Sequence, residues 1–213
     1  ENTVSAELFR LLRTNLKFML PSDKSPVILV TSSVNSEGKS YIATNTAISL
    51  AMLGKKVALV GLDIRKPMLA QYFGLNDRGC LTSYLAEPGY EIDDIIQPSG
   101  QHKNLDIIPA GAIPPNPNEL LQCERLDTLF EELRKRYDII LIDSAPVALV
   151  SDTFLLDRVA DMTIYVSRER YTSLDMIDFL NKVYTEKRFK NMACVLNGVK
   201  SVKAGYGYGI TQV

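Results

Sequence analysis

The chain has 213 residues, 46% apolar and 23% charged, which is a length for one large domain and the composition of a soluble globular protein. Its formal net charge of −1 supplies no global positive field for nucleic acid, so an anionic ligand has to be captured locally. Cys80, Cys123 and Cys194 are far apart, odd in number and without C-x-x-C spacing, which excludes a disulfide framework or zinc site and predicts reduced thiols in a cytosolic setting.

The chain begins at Glu1 without methionine, as a portion excised from a longer protein would. It has no signal peptide and no run near the ~18 apolar residues of a membrane span. Residues 3–20 predict a helix that Ser5 can cap, with apolar residues recurring at Leu8, Phe9, Leu12, Leu16, Met19 and Leu20. On it Glu7, Arg10 and Arg13 are spaced i, i+3, i+6. That spacing suits either an intrahelical Glu–Arg pair, worth about 0.2–0.5 kcal/mol, or a ladder toward a neighbouring subunit. From spacing alone the intrahelical pair is the simpler reading.

An apolar run from Val27 to Val30 then stops in a small polar loop, 31–37, and an amphipathic helix opens on Gly38-Lys39-Ser40 and closes at Gly54. Strand, loop and helix opening on G-K-S is the context of a P-loop, although Ser33 stands where the full pattern has glycine. Loop N–H groups and the helix N-terminus would cradle phosphate, with Lys39 reaching the terminal phosphates and the Ser40 hydroxyl on Mg²⁺. Residues 57–67 form a buried strand whose polar groups, Asp63 and Arg65, fall at its carboxyl end, where open α/β sheets bind ligands.

A loop-rich stretch follows, with a short helix at 68–73, turns at Gly74 and Gly79, and short elements at 81–86 and 92–96. His102 lies in a polar loop at the surface, which leaves no material for a histidine base or a histidine metal site. After a strand at 105–109, Asn116, Pro117 and Glu119 suit N-cap, N1 and N3 of a helix running to about Arg136. Residues 138–143 are an apolar strand ending in Asp143, a Walker B candidate. A helix at 149–159 capped near Ser151 or Asp152, a strand at 162–167, a helix at 172–187 and a strand at 192–196 complete the alternation, which predicts a parallel sheet covered on both faces. Residues 201–213, with Tyr206 and Tyr208 among glycines, have no helical period and predict a flexible tail.

Taken together, the segments resemble the bacterial tyrosine kinases of the polysaccharide co-polymerase type, P-loop proteins related to the MinD/ParA ATPases. The resemblance runs over nearly the whole chain. It rests on E-x-x-R-x-x-R at 7–13, T-S-S-x-x-x-E-G-K-S at 31–40, L-D-I-R-K-P at 62–67, G-A-I-P-P-N-P-N-E-L-L at 111–121, I-L-I-D-S-A-P at 140–146, L-N-G-V at 196–199 and the terminal tyrosines. It implies an α/β P-loop NTPase fold, mostly parallel with helices on both faces, over residues 1–200, with a tyrosine-containing tail at 201–213.

The implied activity is ATP- and Mg²⁺-dependent tyrosine autophosphorylation between subunits, serving capsule or exopolysaccharide synthesis. The catalytic set is Lys39, Asp63, Asp143 and Arg65. Ser36, Glu37, Gly38, Lys39, Ser40 and Tyr41 would hold the nucleotide, with Asn197 near the adenine. Ser40, Asp63 and Asp143 would hold the metal. Tyr206 and Tyr208 would be the phosphorylation sites, and Glu7, Arg10 and Arg13 the ring-forming motif. Implied partners are other copies of the chain, a membrane-embedded activator or co-polymerase portion and a tyrosine phosphatase, with no nucleic acid. The implied location is the cytoplasmic side of the bacterial inner membrane.

Three departures stand out. Ser36 replaces the family's loop glycine, Gly61 replaces the first acid of its second aspartate motif and leaves Asp63 alone, and the tail has two tyrosines. Two alternatives remain: a MinD/ParA-like ATPase switch, whose second lysine would stand where this chain has Val34, and a non-catalytic ATP-binding scaffold. A GTPase is excluded by the lack of an N-K-x-D at a strand end, since Asn181-Lys182 falls within a helical segment.

Overall fold

A computed structural model describes residues 4–21, 24–75 and 79–199. The strands are β1 (Val27–Ser32), β2 (Val57–Leu62), β3 (Gln97–Pro98), β4 (Leu105–Ile108), β5 (Ile139–Ser144), β6 (Met162–Arg168) and β7 (Met192–Asn197). They form one sheet in the order β3-β4-β2-β5-β1-β6-β7. Every pairing is parallel except that of the short edge strand β3 with β4. β1, β2 and β5 are buried at every position, which is why they read as unbroken apolar runs rather than alternations.

Strand pleating sends alternate residues to two cores. Ile28, Val30, Leu59 and Leu141 pack with Leu16 of α1 (Val4–Met19), with Ile42, Ala47 and Leu50 of α2 (Lys39–Ala51), and with Leu69 of α3 (Leu69–Phe73). Leu29, Val60, Ile140 and Ile142 face the other way. There they meet α4 (Leu81–Ala86), α5 (Ile92–Ile95), α6 (Pro117–Gln122), α7 (Glu124–Arg136), a 3₁₀ segment (Ser151–Arg158) and α8 (Leu174–Thr185). The expected parallel sheet with helices on both faces is the fold, with β3 as an antiparallel addition. Among the described residues no helix is long and apolar enough to cross a membrane.

Several local expectations are corrected. The single helix expected from 117 to 136 is two, because Cys123 is extended at φ −68°, ψ 146°. Leu120 and Leu121 bury one face, and the next buried position is Leu126, five residues on and out of helical phase, so the chain re-starts its helix. Asn116 does occupy the N-cap of α6, yet its amide donates to Glu119 (2.5 Å) and no cap bond to the backbone forms. The expected α-helix at 149–159 is the 3₁₀ segment, and Asp152 is drawn away from any capping role by Arg65. Ser5 lies inside α1, not at its cap. The tail with Tyr206 and Tyr208 lies outside the described residues.

Candidate active site

The three central strands bring the motif residues together. β1 lies beside β5 and β5 beside β2, so the loop after Ser32, Asp143 and Asp63 share one carboxyl edge. In register, Asp143 faces Val30 on one side and Gly61 on the other, and the Asp63 amide donates to the Asp143 carbonyl (3.0 Å).

The loop is held from several directions. Ser33, buried where the full motif has glycine, shares a hydrogen bond with the Tyr165 hydroxyl on β6 (2.9 Å). Burial raises the Tyr165 phenol to about 12 against the lowering effect of Ser33, so it stays protonated. The Glu37 carboxylate is buried and accepts from the Val34 amide (2.7 Å) and from the Thr172 hydroxyl. Arg168 donates to the Ser36 carbonyl and Asn197 to the Glu37 carbonyl, both at 2.9 Å. These bonds fix the carbonyls, while the first-turn N–H groups of α2 have no partner within the helix, the arrangement in which a helix N-terminus can donate to an anion.

Gly38 is the N-cap of α2 at φ 101°, and a Cβ there would lie 2.0 Å from the Asn197 amide nitrogen. Ser36, the departure from glycine, sits at φ 66° in the left-handed region, at a cost of about 1–2 kcal/mol.

Lys39 Nζ lies 2.9 Å from Asp63 Oδ2 and 3.9 Å from Asp143 Oδ1. Both carboxylates are buried. Asp63 Oδ1 also accepts from the Lys66 amide (3.0 Å), whereas Asp143 Oδ1 is buried with no hydrogen-bond partner. Burial pushes Asp143 up to about 6, against the pull of Lys39 and Ser40, with the Asp63 charge adding to the rise.

An orphaned buried carboxylate oxygen beside a second acid and a hydroxyl is an all-oxygen donor set that suits Mg²⁺. No group of three metal-binding side chains occurs among the described residues.

The other expected residues are placed differently. Arg65 donates to Asp152 (2.6 Å) and Asn118 (2.7 Å), tying the end of β2 to the 3₁₀ segment and α6. Asn197 touches the loop backbone, and the Tyr41 ring meets Phe9 of α1 edge-on at 5.8 Å. Glu7 pairs with Arg10 within α1, and Arg13 donates to the Ser49 carbonyl of α2 (2.9 Å). Within one chain, then, the intrahelical pair forms and Arg13 is turned onto its own α2. Sequence alone does not mark Arg168 and Thr172, nor Asp152 as the partner of Arg65, because only tertiary contact reveals them; Glu37 is marked as a nucleotide-holding residue, and its carboxylate instead braces the loop through Val34 and Thr172.

At Gly61 a Cβ would meet the Ala110 amide nitrogen at 3.2 Å and Leu69 at 3.3 Å. The space for a first acid is taken by α3 and by the chain following β4.

An AAA domain family model matches residues 26–193. The chain is 32% identical to the tyrosine-protein kinase YwqD of Bacillus subtilis, over 97% of this chain and 86% of that protein. It belongs to the bacterial tyrosine-protein kinase family. The family member Wzc of Salmonella typhimurium is 31% identical over 95% of this chain, but the match spans only 28% of that longer protein. The kinase domain of the Escherichia coli tyrosine kinase ETK has the same fold at a TM-score of 0.84 and 28% identity, covering 96% of this chain and 80% of that one. A MinD from Pyrococcus horikoshii, complexed with Mg-ADP, shares the fold alone, with a TM-score of 0.66 and 22% identity over 81% of this chain and 70% of that one.

Proposed function

We propose that the chain is an ATP-dependent protein-tyrosine kinase that phosphorylates Tyr206 and Tyr208 in the tail of a neighbouring copy. The observation that carries this reading is Lys39 lying between two buried strand-end aspartates beside an anion cradle, in a chain related to proteins named tyrosine kinases. Mg·ATP, when bound, supplies the activated phosphoryl group. Ser40, Asp63 and Asp143 would hold the metal through oxygen, the unpartnered Asp143 oxygen among them. Ser36 to Tyr41 hold the phosphates and Asn197 the base side of the loop.

Lys39 partly offsets the charge of Asp63 and Asp143 and can turn to phosphate charge instead. With Gly61 in place of a second acid, Asp63 alone orients the incoming phenol or receives its proton; a phenol pKa of about 10 makes that help useful without making it obligatory. Arg65 acts through the bridge it makes, positioning Asp152 and Asn118.

Residues 1–200 form the kinase domain in this reading and 201–213 the substrate tail. Glu7, Arg10 and Arg13 contribute to a ring of copies once they exchange their internal partners for a neighbour's. The system is capsule or exopolysaccharide synthesis at the cytoplasmic side of the bacterial inner membrane, with a membrane-embedded co-polymerase portion as activator and a tyrosine phosphatase as antagonist.

Incubation of purified protein with Mg·ATP, followed by mass spectrometry, is expected to place phosphate on Tyr206 or Tyr208, and Lys39→Met is expected to abolish it. Phosphate release without phosphotyrosine would instead mark a MinD-like switch.

A further inference from the structure

The amino edge of the sheet, opposite the cradle, carries a basic and apolar face that the nucleotide chemistry does not use. α1 and α2 both end there, as do the connections into β1, β2 and β7. One groove on this edge is bordered by Lys17, Phe18, Lys24, Leu53 and Lys55. A second is bordered by Met19, Tyr184, Lys187 and Lys190, and the consecutive residues Phe18 and Met19 join the two. Phe18 is 83% exposed and Leu53 59% exposed.

The charge here is one-sided. Lys17, Lys55, Lys56 and Lys187 are exposed and form no ion pair with a described residue. Among the described residues Lys190 Nζ donates to the carbonyls of Asp157 and Ala160. Among the described residues the exposed acids at hand are Asp138, which accepts from the Lys56 amide, and Glu186, shared between Lys182 and Arg188 at 3.9 Å. A chain of net charge −1 therefore gathers cations at this edge and balances them elsewhere.

Exposed aromatic and aliphatic side chains set among the groove lysines, of which Lys24 alone forms an ion pair with a described residue (Asp161), match the two components of an anionic bilayer surface, headgroup charge and shallow hydrocarbon. Nucleic acid would use the lysines and leave Phe18 and Leu53 against phosphate. A two-fold contact with a second copy would set lysine against lysine. We propose that this amino edge docks on an anionic lipid bilayer, with Phe18 and Leu53 entering the headgroup region and the lysines facing lipid phosphates. The cradle, a strand length of about 20 Å away, then opens away from the membrane.

Co-sedimentation of the full chain with vesicles tests this, using phosphatidylcholine alone against phosphatidylcholine with about one third phosphatidylglycerol. The chain is expected to partition onto the anionic vesicles only, and to leave them as salt is raised. Lys55→Gln with Lys187→Gln lowers the partition about 30-fold, at ~1 kcal/mol per lysine. Phe18→Ser, at a side chain already in solvent, lowers it further with ATP binding and thermal melting unchanged. No partition onto anionic vesicles at low salt overturns the proposal. So does partition indifferent to Phe18. Tighter binding to duplex DNA than to vesicles, lost with the lysines alone, assigns the face to nucleic acid. A Phe18-dependent mass change in size-exclusion chromatography without vesicle binding assigns it to a second copy.

Discussion

A methyl group on Gly38 would sit 2.0 Å from the Asn197 amide nitrogen, at a φ of 101° that side chains rarely adopt. Gly38→Ala is therefore expected to cost about 1–3 kcal/mol in urea denaturation and to remove measurable ATP binding in calorimetry, because the loop cannot close under Asn197. Gly61 is the converse case, strained by nothing but crowded by Leu69 and the Ala110 backbone. Restoring the missing acid as Gly61→Asp is expected to lower stability by about 1–3 kcal/mol and to leave autophosphorylation no faster.

Asp143 adds a pH signature to the nucleotide-free protein. Its folded value of about 6 lies above an unfolded value of about 4, so the native state holds the extra proton between the two. Stability from this group is full below pH ~4 and is lost as pH rises through ~6, by about 2–3 kcal/mol. Asp143→Asn should flatten that part of a stability–pH curve measured by thermal melting.

The scale of elements is where Arg65 acts. It stands beyond the end of β2, yet its guanidinium binds Asp152 of the 3₁₀ segment and Asn118 of α6, so three elements from distant parts of the chain meet on one side chain. Asp152 is buried while Arg65 is half exposed, so truncating the arginine strands an acid, and the pair is discounted for solvent screening. Arg65→Ala is expected to cost about 1–3 kcal/mol, and a double-mutant cycle with Asp152→Ala to give a coupling of about 1 kcal/mol. If Arg65 positions rather than reacts, Asp152→Ala lowers kcat alongside it. Strand elements were legible because the sheet is buried on both faces and each strand is a continuous apolar run. The break at Cys123 was legible in principle from the five-residue step between Leu121 and Leu126. The 3₁₀ geometry of 151–158 was not, because a salt bridge to a residue far away in sequence competes with local capping.

At the scale of the whole molecule, Asp161 joins parts that the sequence keeps far apart. It accepts from the Val27 amide (2.9 Å) at the start of β1, from Arg134 (2.7 Å) at the end of α7 and from Lys24 (2.5 Å). Burial alone would raise its carboxyl, but the bonds from Arg134, Lys24 and Val27 more than offset that and hold it below the usual range. The sign is opposite to that of Asp143: this stability is present above the unfolded value of about 4 and lost as pH falls through the folded one. Asp161→Asn is expected to lower the melting temperature at pH 7, while wild type and variant converge in strong acid.

The order of hydrophobic runs and helical periods determined the α/β class, and the polar residues closing each run marked Lys39, Ser40, Asp63 and Asp143 as candidates. Such signals are local, since strand length, helix period and capping chemistry depend on near neighbours in the chain. The placement of β5 between β1 and β2, which gives Lys39 its two carboxylates, was decided only by folding. So were the clamp on the loop from Arg168, Thr172 and Asn197 and the inward turn of Arg13, because side chains so remote in sequence meet only once the sheet has set its strand order.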